Sequence, residues 1–141
     1  MNHQRIIEHF VQKVLDIGLT GVTRHDINLP NEEFARKGRD IWIEISVGEG
    51  EPLNYTEGVD RRFVTVNVIL GVPIGSGTQR LNNCAEKVSR IYSPLVSTQA
   101  SIRIGENFFA VRGVTKYPAE TLSDGLKLNV RFTLEKYTQE K

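Results

Sequence analysis

The sequence predicts an α+β fold of two layers, a mostly antiparallel β-sheet covered by two amphipathic helices. Two segments repeat apolar residues every three or four positions, and several others alternate apolar with polar residues. Alternation is typical of strands with one buried face, which favours antiparallel pairing. Two helical stripes can cover that face. The predicted order of elements is α-β-β-α-β-β-β, and 141 residues suffice for one domain, 1–141, with a hydrophobic core.

Composition limits the classes of protein to consider. Hydrophobic residues make up 39% of the chain and charged residues 25%, which is typical of a globular domain. The formal net charge of +1 gives no global reason to expect nucleic-acid or membrane binding. Cys84 is the one cysteine, so no disulfide forms within the chain. With no signal-peptide pattern and no apolar run of about 20 residues, we expect a cytoplasmic product without a membrane partner.

The first predicted element is a helix over 3–17. Its apolar stripe is built from Ile6, Phe10 and Val14, and Gly18 is placed to cap its end. Residues 18–39 show no clean period and mix Pro, Asn, Gly and charge, so we expect a long loop with room for a helical turn at 31–37.

Two strands are predicted next, at 40–47 and 61–70, because apolar residues alternate with polar ones in both. The segment between them, 48–60, is rich in Gly, Pro and Asn, which break regular structure. A hairpin with an extended tip is therefore expected.

The second half begins with a helix predicted over 77–93, which Pro94 ends because proline disfavours helix in the residue before it. Short strands follow at 100–104 and 107–117. The final strand, 125–137, gives the clearest alternation in the chain.

A glycine-rich segment, "GVPIGSGT" at 71–78, resembles a phosphate-binding loop in length. Ser76 stands where that pattern needs glycine, and Gly77 stands where it needs the lysine that meets the phosphates. A structural interpretation fits better: Ser76 at the N-cap and Gln79 reaching back form a capping box. Gly71 and Gly75 then let the chain turn from strand to helix, and Pro73 removes an amide that a phosphate loop would use.

No catalytic, metal-ligating or cofactor-binding set is predicted. His3 and His9 lie on nearly opposite sides of the first helix, so they cannot share a metal, and Cys84 falls in an apolar stripe. Two loops are candidate interaction surfaces. The first is acidic and forms a candidate lumen or interface loop; its residues of interest are Glu49, Glu51, Tyr55, Glu57 and Asp60. The second is basic and forms a candidate partner-contact loop; its residues are Arg36, Lys37 and Arg39.

Both loops also have plainer interpretations. An acidic hairpin tip is often only a solvated turn, although loops carry function more often than scaffolds do. The arginines on and beside the strands are better explained as solvated side chains than as nucleic-acid contacts, because few aromatic residues are interleaved with them.

The motifs of the second half resemble those of the tail-terminator-like proteins of long-tailed phages and prophages. In that family a strand leads through P-x-G-x-G into a helix that ends near I-x-x-L/F, and a closing strand carries V-x-[FVI]-x-[LVI]. The matching residues here are Pro73, Gly75, Gly77, Ile91, Val130, Phe132 and Leu134. The match covers roughly 55–138 well and 3–17 loosely.

This resemblance implies a structural virion protein, not an enzyme and without a cofactor. Such proteins cap the head-proximal end of the tail tube, stop its polymerisation and offer a joining surface to the head. The implied partners are further copies in a ring, typically a hexamer, the tail tube protein and a head-completion or neck protein. DNA would pass through the lumen without specific binding. Two alternatives stay open: another neck or head-completion protein, or a nucleotide-binding enzyme using 71–78.

Overall fold

The computed structural model describes residues 3–19, 21–29, 40–49, 53–56, 59–92 and 101–137. Helix α1 spans His3–Asp16, helix α2 spans Thr78–Ser89, and a 3₁₀ turn spans Arg24–Asp26. The strands are β1 Ile27–Asn28, β2 Trp42–Glu49, β3 Leu53–Thr56, β4 Val59–Pro73, β5 Ser101–Ile104, β6 Asn107–Lys116, β7 Glu120–Thr121 and β8 Gly125–Tyr137.

The strands form one mixed sheet in the order β1-β2-β4-β8-β6-β5, to which β3 adds beside β4 and β7 beside β8. The α+β class is confirmed. The detailed order differs from the prediction, because the described chain also contains the short strands β1, β3 and β7. The pairing differs too: β1 runs parallel to β2, whereas the remaining pairs are antiparallel.

The centre of the sheet is the β4–β8 ladder, in register from Arg62 opposite Lys136 to Pro73 opposite Gly125. In both β4 and β8 one face is fully buried, as the alternation of apolar and polar residues predicted. On β4 this face carries Val64, Val66, Val68, Leu70 and Val72, and on β8 it carries Leu128, Val130, Phe132 and Leu134. The opposite surface, which we call the polar face, carries residues such as Asn67, Asn129 and Arg131.

Both helices bury their apolar stripes in the same core. Phe10 and Val14 of α1 are completely buried, as are Leu81 and Val88 of α2. Gly18 ends α1 with a φ of 66°, a left-handed conformation that glycine adopts without a Cβ penalty, and the predicted cap is confirmed.

Helix α2 ends at Ser89, four residues earlier than predicted. The amides of Arg90 and Ile91 bond to the carbonyls of Lys87 and Val88, at 3.3 and 3.1 Å, so the last turn tightens to 3₁₀ geometry. This tightening precedes Tyr92, which is buried against Phe10 with ring centroids 5.8 Å apart.

Candidate functional site

The acidic segment belongs to a hairpin that contains more regular structure than predicted. Strands β2 and β4 pair from Trp42 opposite Gly71 to Glu49 opposite Val64. Strand β3 then pairs with the start of β4, placing Leu53 opposite Arg61 and Thr56 opposite Val59. A β-ribbon therefore continues the hairpin beyond the β2 pairing.

Three of the candidate residues are strand residues. Glu49 ends β2, Tyr55 lies in β3, and Asp60 lies in β4 opposite Asn54. Glu51 and Glu57 lie outside the described residues, as do Arg36, Lys37 and Arg39 of the candidate partner-contact loop. The prediction that 48–60 lacks regular structure was wrong, because backbone pairing with β4 overrides the weak strand propensity of its Gly and Asn residues.

The glycine segment 71–78 also differs from its predicted form. Gly71 is not a turn residue: it lies inside β4 and pairs with Trp42 on one side and Lys127 on the other. Pro73 ends the same strand. The turn itself depends on Gly75 and Gly77, whose φ angles of 88° and 75° lie in the left-handed region.

The helix cap was predicted one residue too early. The N-cap of α2 is Gly77, and no side chain caps it. Ser76 instead donates its backbone amide to the carbonyl of Pro73, at 3.2 Å, which closes the turn. Because the left-handed Gly77 separates Ser76 from the first helical turn, the capping box of Ser76 and Gln79 does not form. Both residues line a cavity of about 380 Å³ beside α2, together with Arg80 and Lys87.

Cys84 has the structural role that its position in the apolar stripe indicated. The residue is 8% exposed and belongs to the hydrophobic core. Burial raises the pKa of its thiol above the ordinary value, despite the opposing effects of Arg80 and Lys87. A raised pKa lowers the thiolate fraction, so this cysteine is a poor nucleophile.

An aromatic cluster joins α1 to the end of α2. The imidazole Nε2 of His9 is hydrogen-bonded to the Tyr92 hydroxyl, and the two rings stack at 6.0 Å. Burial lowers the pKa of His9 below 6.5, and the charge of Lys13 adds to that effect. Burial also raises the pKa of Tyr92, so its hydroxyl stays protonated. The hydroxyl therefore donates the hydrogen bond, and the Nε2 atom of the neutral imidazole accepts it.

The polar face carries a side-chain network that the sequence did not indicate. Asn67 Oδ1 accepts hydrogen bonds from Asn129 Nδ2 and from Arg131 Nε, both at 3.0 Å. The Arg131 guanidinium lies over the ring of Tyr117, 5.2 Å from its centroid. These residues come from three separate segments, so only the strand register brings them together.

A partly buried ion pair lies farther along the same face. Arg112 Nε donates to Glu135 Oε2 at 2.6 Å, and Glu135 is only 6% exposed. Arg112 occupies an irregularity in the β6–β8 pairing, where the register shifts between Val111 and Gly113. Such a bulge redirects the side chain of its extra residue.

Two kinds of feature are absent from the residues that the structure describes. No group of three or more His, Cys, Asp or Glu residues there could hold a metal ion. None of the helices found there has the length and apolar character needed to cross a membrane.

Comparison with known proteins establishes similarity at the level of the fold. No protein-family model matches the chain, and no curated protein is similar to it in sequence. Among solved structures, a protein whose name states no function matches with a TM-score of 0.67. The match covers 100% of this chain and 99% of that chain at 14% identity. The chain thus shares its architecture with that protein over its whole length.

Proposed function

We propose that this is a structural virion protein of a long-tailed phage or prophage, which caps the head-proximal end of the tail tube. In this role it stops tube polymerisation and forms the surface that joins the head. The observation that carries the proposal is the β2–β4 hairpin, which β3 extends. Segment 48–60 of this hairpin contains four acidic residues and no basic residue. Assembly would take place in the cytoplasm of the bacterial host, and the mature location is the tail–neck region of the virion.

The residues that carry the family resemblance have consistent structural roles. Pro73, Gly75 and Gly77 form the connection from β4 to α2. Val130 and Phe132 are completely buried in the central strand β8. The resemblance therefore rests on residues that belong to a turn and to the core of this chain.

The acidic hairpin fits a ring that encloses DNA. A head-to-tail contact between identical subunits that closes on itself gives a ring, here a hexamer. If Glu49, Glu51, Tyr55, Glu57 and Asp60 line its lumen or the neighbouring contact, like-charge repulsion lets DNA pass without specific binding. Arg36, Lys37 and Arg39 are then available to contact the tail tube protein or the head-completion protein.

A second candidate function within the same class is a different neck or head-completion component. It differs by the partner bound, since a terminator binds the tail tube and a neck protein binds the portal side. A nucleotide-binding enzyme using 71–78 is the third. Gly71, Val72 and Pro73 are paired within β4, which leaves 74–77 as the only free loop of that segment in the described chain. That loop is too short to wrap a triphosphate with backbone amides.

Native mass spectrometry over a concentration series, with negative-stain imaging of the same sample, tests the proposal. We expect a hexamer with a central hole, either alone or after addition of purified tail tubes. A protein that stays monomeric and binds no tube end would contradict the terminator function. Binding of nucleotide at millimolar concentration, abolished by Gly77→Asp, would favour the enzyme instead.

A complementation assay in a lysogen tests the acidic hairpin itself. Glu49→Lys combined with Glu51→Lys should leave folding intact and yield tails of abnormal length or unjoined heads. The matched control is Glu8→Lys with Glu106→Lys, which makes the same charge change at two exposed positions away from the hairpin. Equal infectivity of the two double variants would remove the role of the hairpin.

A further inference from the structure

A cavity of about 230 Å³ opens on the polar face where β7 and β8 meet the end of β6. Ile69, Tyr117 and Pro118 supply its apolar walls, and Arg131 supplies a guanidinium. The remaining polar lining comes from Glu120, Lys127 and Asn129. The lining is therefore mixed, and several polar groups converge on a partly apolar recess, which is a feature of ligand sites.

The Arg131 guanidinium is held from two directions. Its Nε donates to Asn67 Oδ1 at 3.0 Å, and its plane lies over the Tyr117 ring. The same Asn67 oxygen accepts from Asn129 Nδ2, which fixes the orientation of both amides. Within the described part of the chain, the terminal nitrogens Nη1 and Nη2 make no hydrogen bond or ion pair. Arg131 therefore presents a preoriented edge with two donors.

The charges around the cavity indicate the ligand. Lys127 Nζ lies 3.6 Å from Glu120 Oε2, so its charge is already largely balanced. The lining of the cavity has a net charge of +1, because it contains two cations, Arg131 and Lys127, and one carboxylate, Glu120. This balance suits a singly charged anion better than a phosphate dianion. Two parallel N–H donors match the two oxygens of a carboxylate.

We propose that this cavity binds a carboxylate group, with Arg131 as its bidentate donor and Tyr117 as the wall that holds the guanidinium in place. The carboxylate comes either from an acidic side chain of a second copy of this chain or from a free carboxylic acid. Segment 48–60 is a source of the first kind, since it carries four acidic residues in 13 positions. The site itself does not depend on the function proposed above.

The test is an NMR titration of the full ¹⁵N-labelled chain, following backbone amides of β6 to β8 and the Nε–Hε resonance of Arg131. One arm uses sodium acetate, and the other uses a synthetic peptide with the sequence of residues 48–60. We expect saturable shifts at Arg131 and Tyr117, with a dissociation constant on the order of 1 mM for the tighter probe. A peptide with all four acidic residues changed to amides should produce none of these shifts.

Arg131→Lys keeps the charge but loses the two-donor edge, so it should weaken binding about tenfold. Arg103→Lys is the matched control. Arg103 also donates a hydrogen bond through its Nε, here to the backbone oxygen of Gly105, and its guanidinium also lies over a ring, that of Phe108, outside the cavity. If Arg131→Lys does not fold, Tyr117→Leu at an exposed position replaces it.

The outcomes separate the two sources. Tighter binding of the peptide than of acetate assigns the site to a second copy, and binding of acetate at least as tight as that of the peptide assigns it to a free acid. The proposal is overturned if neither probe shifts these resonances, or if Arg131→Lys and Arg103→Lys weaken binding equally.

Discussion

Gly71 lies directly against the indole ring of Trp42, its partner across the β2–β4 ladder. A Cβ at position 71 would overlap the ring around Nε1 and Cε2. Trp42 is only 2% exposed, although it lies on the face of β2 opposite the buried Ile43. The absent side chain of Gly71 thus makes room for the largest residue on the polar face.

Gly71→Ala should therefore lower the free energy of unfolding by about 1–3 kcal/mol, the usual effect of overpacking a filled site. Urea denaturation measures the change. Gly113→Ala is the control, because a Cβ there meets no atom within 4 Å, and it should change stability by less than about 0.5 kcal/mol. Adding Trp42→Phe to Gly71→Ala should recover part of the loss. Equal stability of the two alanine variants would show that the indole does not occupy this position.

The role of Gly71 illustrates what sequence reasoning could and could not provide. The final strand was predicted at 125–137 and is confirmed with those bounds, because 13 residues of alternation leave no competing interpretation. The stripe of α1 is likewise confirmed. Gly71 was assigned to a turn because glycine is common there, and its contact with Trp42 depends on a pairing between residues 29 positions apart.

The remaining differences have the same physical origin. Strands β1 and β3 have two and four residues, too few for a period to be visible, and form only because longer neighbours offer free backbone groups. The network of Asn67, Asn129 and Arg131 consists of residues that look like ordinary solvated positions in a strand. Strand register brings them together, and register becomes known only once it is known which strands pair, because it depends on both partners.

Phe132 tests the register of β8. Its ring is completely buried and lies 5.1 Å from that of Phe10 and 6.2 Å from that of Tyr92. Phe132→Ala should lower the free energy of unfolding by about 3–5 kcal/mol, because it removes a large buried side chain. Thr133→Ala, on the polar face, is the control and should change it far less. Phe132→Asp should prevent folding, and a soluble, folded Asp variant would contradict the register.

His9 should make stability depend on pH. Burial, the larger cause, and Lys13 lower its pKa in the folded protein below 6.5. As pH falls through 6.5, the unfolded chain takes up a proton that the folded protein resists. The free energy of unfolding should therefore decrease from pH 8 towards pH 5 and level off below the folded pKa.

Urea denaturation at several pH values measures this dependence, and His9→Gln should flatten it between pH 7 and 5. His25→Gln changes an exposed histidine and serves as the control, for which we expect the wild-type profile. If His9→Gln and the wild type follow the same profile, the partly buried His9 is not responsible for the pH dependence of stability.

The Arg112–Glu135 pair should matter more than an ordinary surface pair. Glu135 is almost fully buried, and removal of its partner leaves a carboxylate with weaker compensation. Because the Arg112 side chain is 37% exposed, water screens the interaction, and we expect Arg112→Met to cost about 1–2 kcal/mol of stability. Lys116→Met is the matched control, since Lys116 pairs with Glu86 at 3.3 Å and both side chains are well exposed. Its effect on the urea midpoint should be small.

The double variant Arg112→Met with Glu135→Leu separates a charge effect from a packing effect. If the buried carboxylate is what destabilises Arg112→Met, replacing it with an apolar side chain should recover stability, and the double variant should lose less than the sum of the single losses. A loss equal to that sum would show that the two side chains act independently. The bulge at Arg112 would then determine the shape of β6 and would not serve the ion pair. The register shift persists whichever side chain stands at position 112.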